Sequence, residues 1–158
     1  KILITGGSGF IGTNLIDSLV QDNNISILNI DLNKPSSQKH IAFWKKCDIM
    51  DMTKFLNILK DYRPTHVVHL AAKADTSSNN IDDYIENTTG TRNVVESCNE
   101  IESISKVIIT STQYVYKDIK SPIPKSDTDF KPHTVYGESK AISEKITRKY
   151  CKKKIYNN

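Results

Sequence analysis

The stretch that decides the fold is K-I-L-I-T-G-G-S-G-F-I-G, residues 1–12, in which a short apolar run meets a cluster of glycines. The apolar run predicts a buried strand, and from Phe10 to Val20 apolar residues recur at helical spacing. Glycines between a strand and a helix allow a turn with positive φ and bring backbone N–H groups close to a bound anion. This arrangement predicts a site for a pyrophosphate at the start of the first helix.

An acidic residue farther along the chain strengthens this interpretation. Residues 25–30, I-S-I-L-N-I, are mainly apolar and predict a second strand, and Asp31 ends it, 19 residues beyond Gly12. A carboxylate there can accept both ribose hydroxyls of an adenosine and would repel a 2′-phosphate, which favours NAD over NADP. A P-loop is excluded because Thr13 and Asn14, rather than a lysine, follow Gly12. The residues predicted to bind the dinucleotide here are Gly6, Gly9, Phe10, Ile11, Gly12, Asp31 and Asn33.

Strand and helix patterns alternate along the rest of the chain. The further predicted strands cover residues 41–44, 65–71 and 106–112, and the further predicted helices cover residues 52–59, 81–98 and 136–152. Three prolines predict a loop over residues 114–133. Because the strands are mainly apolar and do not alternate with polar residues, we expect a doubly wound parallel sheet, a Rossmann-type three-layer α/β/α fold, in a single domain over residues 1–158.

Composition narrows the possible classes of protein. Hydrophobic residues make up 37%, charged residues 25% and the net charge is +4, as in ordinary globular domains. No apolar run approaches the roughly 20 residues that span a bilayer, and no signal-peptide pattern is seen, so we expect neither membrane insertion nor secretion. Cys47, Cys98 and Cys151 lie far apart, which predicts buried, reduced thiols and a cytoplasmic location. The mild charge predicts no nucleic-acid partner, and the histidine spacing predicts no metal site.

A phenol and an ammonium lie four residues apart on the last predicted helix. Tyr136 and Lys140 share one helix face, one turn apart. A nearby cation lowers the pKa of a phenol from its usual value of about 10, so Tyr136 is predicted to exchange a proton with a carbinol during hydride transfer. Hydroxyl residues 110–112 end the fifth strand, at the sheet edge where such folds bind ligands.

Together these segments resemble the extended short-chain dehydrogenase/reductases, specifically the NAD-dependent epimerase/dehydratase group that works on nucleotide sugars. Residues 5–12 are similar to the T-G-x-x-G-x-x-G motif of that group, and residues 47–49 to its D-[ILV] element, which contacts adenine. Residues 69–73 are similar to its H-x-A-[AG] strand end, and residues 87–93 to N-x-x-G-T-x-N. The resemblance implies that Asp48, Ile49, Leu70, Ala71, Ala72, Lys73, Asn87, Thr110, Tyr136 and Lys140 also bind the cofactor.

Residues 110–116, T-S-T-Q-Y-V-Y, resemble the S-S-x-x-V-Y segment of the same group. By this match Thr112 takes the place of the catalytic serine or threonine, beside Tyr136 and Lys140, and the substrate is expected to contact Thr112, Gln113 and Tyr136. Sugar 4,6-dehydratases carry an Asp-Glu pair after their catalytic threonine, whereas Gln113 and Tyr114 stand here. We therefore expect epimerisation or oxidoreduction rather than dehydration.

The chain is short for this group, since only 18 residues follow Lys140 and it begins without Met inside a strand. We expect it to be the N-terminal part of a longer enzyme, with the C-terminal substrate-binding region absent. The resemblance implies a nucleotide-sugar substrate and a possible homodimer. Two alternatives remain: a reductase of a non-sugar carbonyl, and a module that senses NAD without turnover, which has no need of Thr112, Tyr136 and Lys140.

Overall fold

The computed structural model describes residues 1–116, 126 and 129–155, with side chains as far as residue 150. The chain comprises two compact units. The first unit consists of Lys1–Ala71 and Asn93–Thr110, and the second of Ala72–Arg92 and Ser111–Asn158. The single domain expected from the sequence stays a prediction.

Within the described residues, five parallel strands form the sheet of the first unit, in the order β3-β2-β1-β4-β5. Their bounds are Ile2–Thr5 (β1), Ile27–Asp31 (β2), Trp44–Lys46 (β3), His66–His69 (β4) and Lys106–Ile109 (β5). Thr5 pairs with both Ile30 and His69, so three strands end at one carboxyl edge. The order changes direction at β1, which is the topological switch point where doubly wound sheets bind ligands.

Helices cover both faces of this sheet. The helices that pack on it are Phe10–Leu19 (α1), Met52–Tyr62 (α2) and Thr91–Asn99 (α3). A fourth α-helix, Val135–Ile155 (α4), belongs to the second unit. Successive residues of β1 point to opposite faces: Leu3 packs with Phe55 of α2 and Val94 of α3, whereas Ile4 packs with Ile16 of α1. The predicted doubly wound, three-layer Rossmann-type fold is confirmed.

The third strand differs from its predicted position. Residues Gln38–Phe43 form a 3₁₀ helix, and β3 begins only at Trp44. The apolar pattern over residues 41–44 arises because Phe43 packs into the core on the α1 side of the sheet rather than in a strand. Trp44 then donates its indole N–H to the carbonyl oxygen of Asp31 at 3.2 Å.

The long helix predicted over residues 81–98 is broken into three parts. A 3₁₀ turn at Ile81–Tyr84 is followed by a π-helical turn at Glu86–Gly90, and α3 follows that turn. Apolar spacing over so few residues does not distinguish these helix types, because the 3₁₀ and π repeats each differ from the α-helical repeat by less than one residue per turn. The hydroxyl of Ser143 donates to the carbonyl oxygen of Asn87 within the π turn.

Three smaller expectations concern cysteines, the proline-rich loop and membranes. Cys47 and Cys98 are both buried, as predicted, and the side chain of Cys151 lies outside the described residues. Of the predicted loop, residues 117–125 and 127–128 also lie outside them, and Gln113–Val115 forms a 3₁₀ turn. None of the helices in the described part of the chain combines the length and apolar character needed to cross a bilayer.

Candidate active site

The glycine turn after β1 is closed by packing on its inner side and open on its outer side. Gly6 has a φ of +72°, and a Cβ there would lie 2.5 Å from the backbone nitrogen of Ala71. A Cβ on Gly12 would lie 2.4 Å from the Cα of Gly7, so α1 begins directly against the turn. Gly9 is exposed to solvent, although a Cβ there would still make a tight contact of 3.3 Å with Gly6 O. A ligand can therefore approach the backbone at Gly9.

The N-terminus of α1 lies beside this opening. The first hydrogen bond of α1 runs from Thr13 N to Gly9 O at 2.9 Å. The N–H groups of Phe10, Ile11 and Gly12 come before it in the chain and therefore have no acceptor within the helix. Phe10 is 86% and Ile11 59% exposed, an unusual exposure for large apolar side chains. Backbone donors, the positive end of the helix dipole and exposed apolar surface together fit a ligand that carries phosphates and a flat ring.

The Asp31 carboxylate at the end of β2 is oriented by two backbone groups. Ser8 N donates to Oδ2 at 3.0 Å, and Asn33 N donates to Oδ1 at 2.9 Å. An ionised carboxylate offers about four acceptor positions, so about two remain for a ligand. This arrangement fits the two hydroxyls of a ribose.

The predicted adenine-binding turn is held by a residue to which sequence reasoning gave no role. Asp48 accepts a hydrogen bond from Met50 N at 2.9 Å. The amide of Asn93 donates to the carbonyl oxygens of Ile49 and Met50 at 3.0 and 3.2 Å. Asn93 is the last residue of the N-x-x-G-T-x-N pattern, so the sequence already contained a motif that could have indicated a role for it.

The carboxyl ends of β1 and β4 are joined through buried side chains. Thr5 Oγ1 is hydrogen-bonded to His69 Nδ1 at 2.7 Å and accepts from Ala71 N at 3.3 Å. Thr110 donates its hydroxyl to the carbonyl oxygen of His69 at 3.3 Å. The predicted cofactor residues Leu70, Ala71 and Thr110 thus lie at the same sheet edge as the glycine turn.

In the second unit, a buried asparagine joins two segments of the candidate site. Asn87 accepts from Lys73 N at 2.8 Å, and its amide donates to Lys73 O at 2.9 Å and to Ser139 Oγ at 2.9 Å. Asn87 is fully buried. It therefore fixes the backbone of Lys73 relative to α4, next to Lys140.

The three predicted catalytic residues lie together in the second unit. The hydroxyl of Thr112 is hydrogen-bonded to Tyr136, and Lys140, one turn along α4, is only 4% exposed. Gly137 allows the backbone at Tyr114 to lie close to the start of α4, because a Cβ on Gly137 would lie 2.2 Å from Tyr114 O. Thr134, which precedes α4, caps the start of that helix, because its hydroxyl accepts from Gly137 N at 3.0 Å.

Burial shifts the pKa of both ionisable groups of this site. Burial raises the pKa of Tyr136 above its usual 10.0, and the hydrogen bond from Thr112 acts in the opposite direction. Burial likewise lowers the pKa of Lys140, against the attraction of the Glu144 carboxylate. The direction for Tyr136 is opposite to the one expected from the Lys140 charge, because the phenol itself is desolvated.

Two further tyrosines enclose Tyr136 and were missed by sequence reasoning. Their ring centroids lie 6.1 Å (Tyr84) and 6.2 Å (Tyr114) from that of Tyr136. The Lys73 ammonium lies 5.4 Å from the centroid of the Tyr84 ring. Tyr84 entered the sequence analysis only as part of a helical apolar pattern, and no local pattern connects it with a residue 52 positions later.

The predicted site residues fall into two sets, one in each unit. The first unit holds Gly6, Gly9, Phe10, Ile11, Gly12, Asp31, Asn33, Asp48, Ile49, Leu70, Ala71 and Thr110. The second unit holds Ala72, Lys73, Asn87, Thr112, Gln113, Tyr136 and Lys140. Among the described residues, no group of three or more His, Cys, Asp or Glu side chains is arranged to hold a metal ion. The roles of these residues, and the absence of a metal, stay predictions.

The buried ammonium predicts a stability effect with a defined pH dependence. Lys140→Met is expected to raise the free energy of unfolding by about 1 kcal/mol at about pH 7, because methionine fills a similar volume without a desolvated charge. The pKa of Lys140 is lowered in the folded protein but is 10.5 in the unfolded chain, so the unfolded chain binds more protons between these values. Wild-type stability therefore rises with pH through this window, and the advantage of the variant disappears above it.

Urea unfolding of both proteins across this pH range measures the difference. Lys149→Met, at an exposed position of the same helix, is the matched control and is expected to leave stability unchanged. A lower stability of Lys140→Met at neutral pH would contradict the assignment of a desolvation cost to Lys140.

Comparison with known proteins agrees with this geometry. The model of the NAD-dependent epimerase/dehydratase family matches residues 2–157. The dTDP-glucose 4,6-dehydratase of Haemophilus influenzae is 29% identical over 94% of this chain and 50% of its own length. The GDP-6-deoxy-D-talose 4-dehydrogenase of Aggregatibacter actinomycetemcomitans is 31% identical over 95% of this chain and 48% of its own length. The UDP-glucose 4-epimerase of Thermus thermophilus, whose crystal structure contains NAD, is 25% identical in sequence. Its structure matches with a TM-score of 0.82 over 96% of this chain and 51% of its own.

These matches confirm the resemblance inferred from the motifs and the predicted cofactor, since NAD is the cofactor of the matched family. These relatives are enzymes named for nucleotide sugars, and both dehydratases and epimerases occur among the matches. The chain spans about half the length of the curated relatives it matches.

Proposed function

Because the chain belongs to the NAD-dependent epimerase/dehydratase family, we propose that its protein acts on a nucleotide sugar as an NAD-dependent epimerase or oxidoreductase. When bound, NAD supplies the acceptor and donor of a hydride. The observation that carries the proposal is the hydrogen bond from Thr112 to Tyr136, with Lys140 buried one helical turn away.

The first unit supplies the residues that would hold the cofactor. The N–H groups of Phe10, Ile11 and Gly12 would bind the pyrophosphate, because they precede the first hydrogen bond of α1. Asp31 would accept the hydroxyls of the adenosine ribose. Asp48 and the backbone of Ile49 would contact adenine, and Gly9, at the turn, is exposed to solvent.

The second unit supplies the groups that would move the proton. Tyr136 takes the proton of a sugar hydroxyl as its carbon loses a hydride, and returns it in the reverse step. Thr112 binds the reacting oxygen, and its hydrogen bond favours the phenolate of Tyr136. The ammonium of Lys140 adds positive charge from a buried position, where electrostatic interactions are stronger than in water.

Dehydration is not part of the proposal. Water elimination needs an acid for the leaving hydroxyl and a base for the carbon-bound proton. The residues that follow Thr112 are Gln113 and Tyr114, and neither carries a carboxyl group. We propose therefore that the chain differs in this respect from those relatives that are dehydratases.

The proposed partners follow from the substrate class. A nucleotide sugar contacts Thr112, Gln113 and Tyr136 through its sugar. We also propose that the protein forms a homodimer and is located in the cytoplasm. The proposed chemistry depends on neither property.

The experiment is product analysis by NMR, with the full-length protein, NAD and a panel of UDP-, dTDP- and GDP-hexoses. A 4-epimer, or a 4-keto sugar formed with NADH, is the expected product. A 4-keto-6-deoxy sugar would demonstrate dehydration and overturn the roles given to Gln113 and Tyr114. In a parallel assay with NADH as hydride donor, turnover of simple carbonyl compounds alone would favour a non-sugar reductase. Dinucleotide binding without turnover in either assay would favour a sensing module.

A further inference from the structure

A polar side chain occupies an unusual place inside the sheet of the first unit. Asn29 lies in β2, between β1 and β3, and is fully buried. Interior strands of a covered parallel sheet are normally apolar. Within the described part of the chain, Asn29 Oδ1 has no hydrogen-bond partner, which is a cost that an apolar residue would avoid. Packing alone therefore does not explain an asparagine here.

The Asn29 amide lies directly against the glycine turn. Its Nδ2 donates to Ser8 Oγ at 3.1 Å. A Cβ on Gly7 would lie 2.4 Å from Asn29 Oδ1, so Gly7 and the amide are in close contact. The position of Ser8 is thus fixed from within the sheet.

Ser8 is in turn hydrogen-bonded to residues at the end of β2. Its hydroxyl donates to Asn33 O at 2.8 Å, and its backbone N–H donates to Asp31 Oδ2 at 3.0 Å. Asn33 N donates to the other carboxylate oxygen at 2.9 Å. Asn29, Ser8, Asn33 and Asp31 form a connected network in which both carboxylate oxygens of Asp31 are held.

We propose that Asn29 and Ser8 are positioning residues that orient the Asp31 carboxylate toward the adenosine ribose and so maintain the preference for NAD over NADP. This inference rests on the proposed binding of NAD by the first unit. A carboxylate held at both oxygens has its remaining lone pairs in fixed directions, which suits a diol and opposes a 2′-phosphate. A carboxylate free to rotate can turn away from the phosphate, so the discrimination falls.

The test compares Ser8→Ala and Asn29→Val in the full-length protein with wild type. Calorimetric titration with NAD and with NADP gives the ratio of their dissociation constants. We expect each variant to reduce the preference for NAD about tenfold, the effect of one hydrogen bond of ordinary strength. Ser8→Thr keeps the hydroxyl and is expected to retain the wild-type ratio.

A second readout needs no dinucleotide. In both variants the backbone amide at position 8 is expected to exchange its hydrogen faster than in wild type, because a hydrogen bond that holds this residue in place has been removed. Ser18→Ala, on an exposed part of α1, is the matched control and is expected to change neither the ratio nor the Ser8 exchange. Ser8 is only half-buried, so Ser8→Ala decides the question even if Asn29→Val fails to fold.

The outcomes separate this inference from the proposed function. If wild type prefers NAD and both variants keep the same ratio, the positioning role is overturned and NAD binding stands. If wild type binds neither dinucleotide, the proposed function and this inference fall together. A parallel loss of NAD and NADP affinity, with the ratio unchanged, would show a structural role only and would also overturn the inference.

Discussion

Replacing Tyr136 by phenylalanine is expected to lower kcat by about 10²- to 10⁴-fold, the usual contribution of a positioned general acid or base. Phenylalanine keeps the ring contacts with Tyr84 and Tyr114 and loses only the hydroxyl that hydrogen-bonds to Thr112. The dissociation constant of NAD is expected to change little, because the proposed contacts with the pyrophosphate and the adenosine lie in the first unit. Steady-state kinetics and calorimetric titration of the full-length protein measure the two quantities.

The matched control for this variant is Tyr62→Phe. Tyr62 donates its hydroxyl to Ile2 O at 3.4 Å, and burial raises its pKa to about 12. Both substitutions remove one partly buried hydroxyl, but Tyr62 has no proposed role in the reaction. Turnover within about threefold of wild type in Tyr136→Phe, a change too small for a lost general acid or base, would remove Tyr136 from the mechanism.

Replacing Asp31 by alanine is expected to weaken NAD binding by about 10- to 100-fold, which corresponds to the loss of one or two hydrogen bonds to a charged group. NADP binding is expected to change little or to improve, because the negative charge that would repel its 2′-phosphate is removed. The physical reason is the arrangement of the carboxylate, whose two oxygens accept from Ser8 N and Asn33 N and keep positions for two ribose hydroxyls.

Asp61→Ala controls for the change in net charge. Asp61 is exposed on α2, and its replacement is expected to leave both dissociation constants unchanged. Calorimetric titrations with NAD and NADP compare the two variants. An equal loss of affinity for both dinucleotides in Asp31→Ala would contradict the role of Asp31 in cofactor choice.

The glycine turn and Asp31 show how much of the site was predictable. Residues 1–12 predicted a strand, a turn and a helix, and the structure has β1, a turn with Gly6 at positive φ, and α1. This part was predictable because each requirement is local: a strand needs apolar residues, and a tight turn beside a helix needs glycine. The pairing of Asp31 with Ser8 was not predictable, since it depends on how β1 and β2 align.

Residues 81–98 show where local patterns failed. Their spacing predicted one long helix, whereas the structure contains a 3₁₀ turn, a π-helical turn and α3. The π turn is supported by distant partners: Asn87 hydrogen-bonds to Lys73 and Ser139, and Ser143 donates to Asn87 O. Such contacts join residues that are far apart in sequence, so tertiary structure decided the type of helix.

By itself, the sequence determined the parallel α/β fold, the family and the residue types at the proposed cofactor and catalytic positions, because periodicity and motifs depend on near neighbours. Tertiary structure alone decided that Asn29 lies beneath Ser8, that Asn93 holds the turn at Ile49, and that Tyr84 and Tyr114 enclose Tyr136. It also decided the direction of the Tyr136 pKa, since desolvation depends on what surrounds the phenol in space and not on the lysine four residues along the chain.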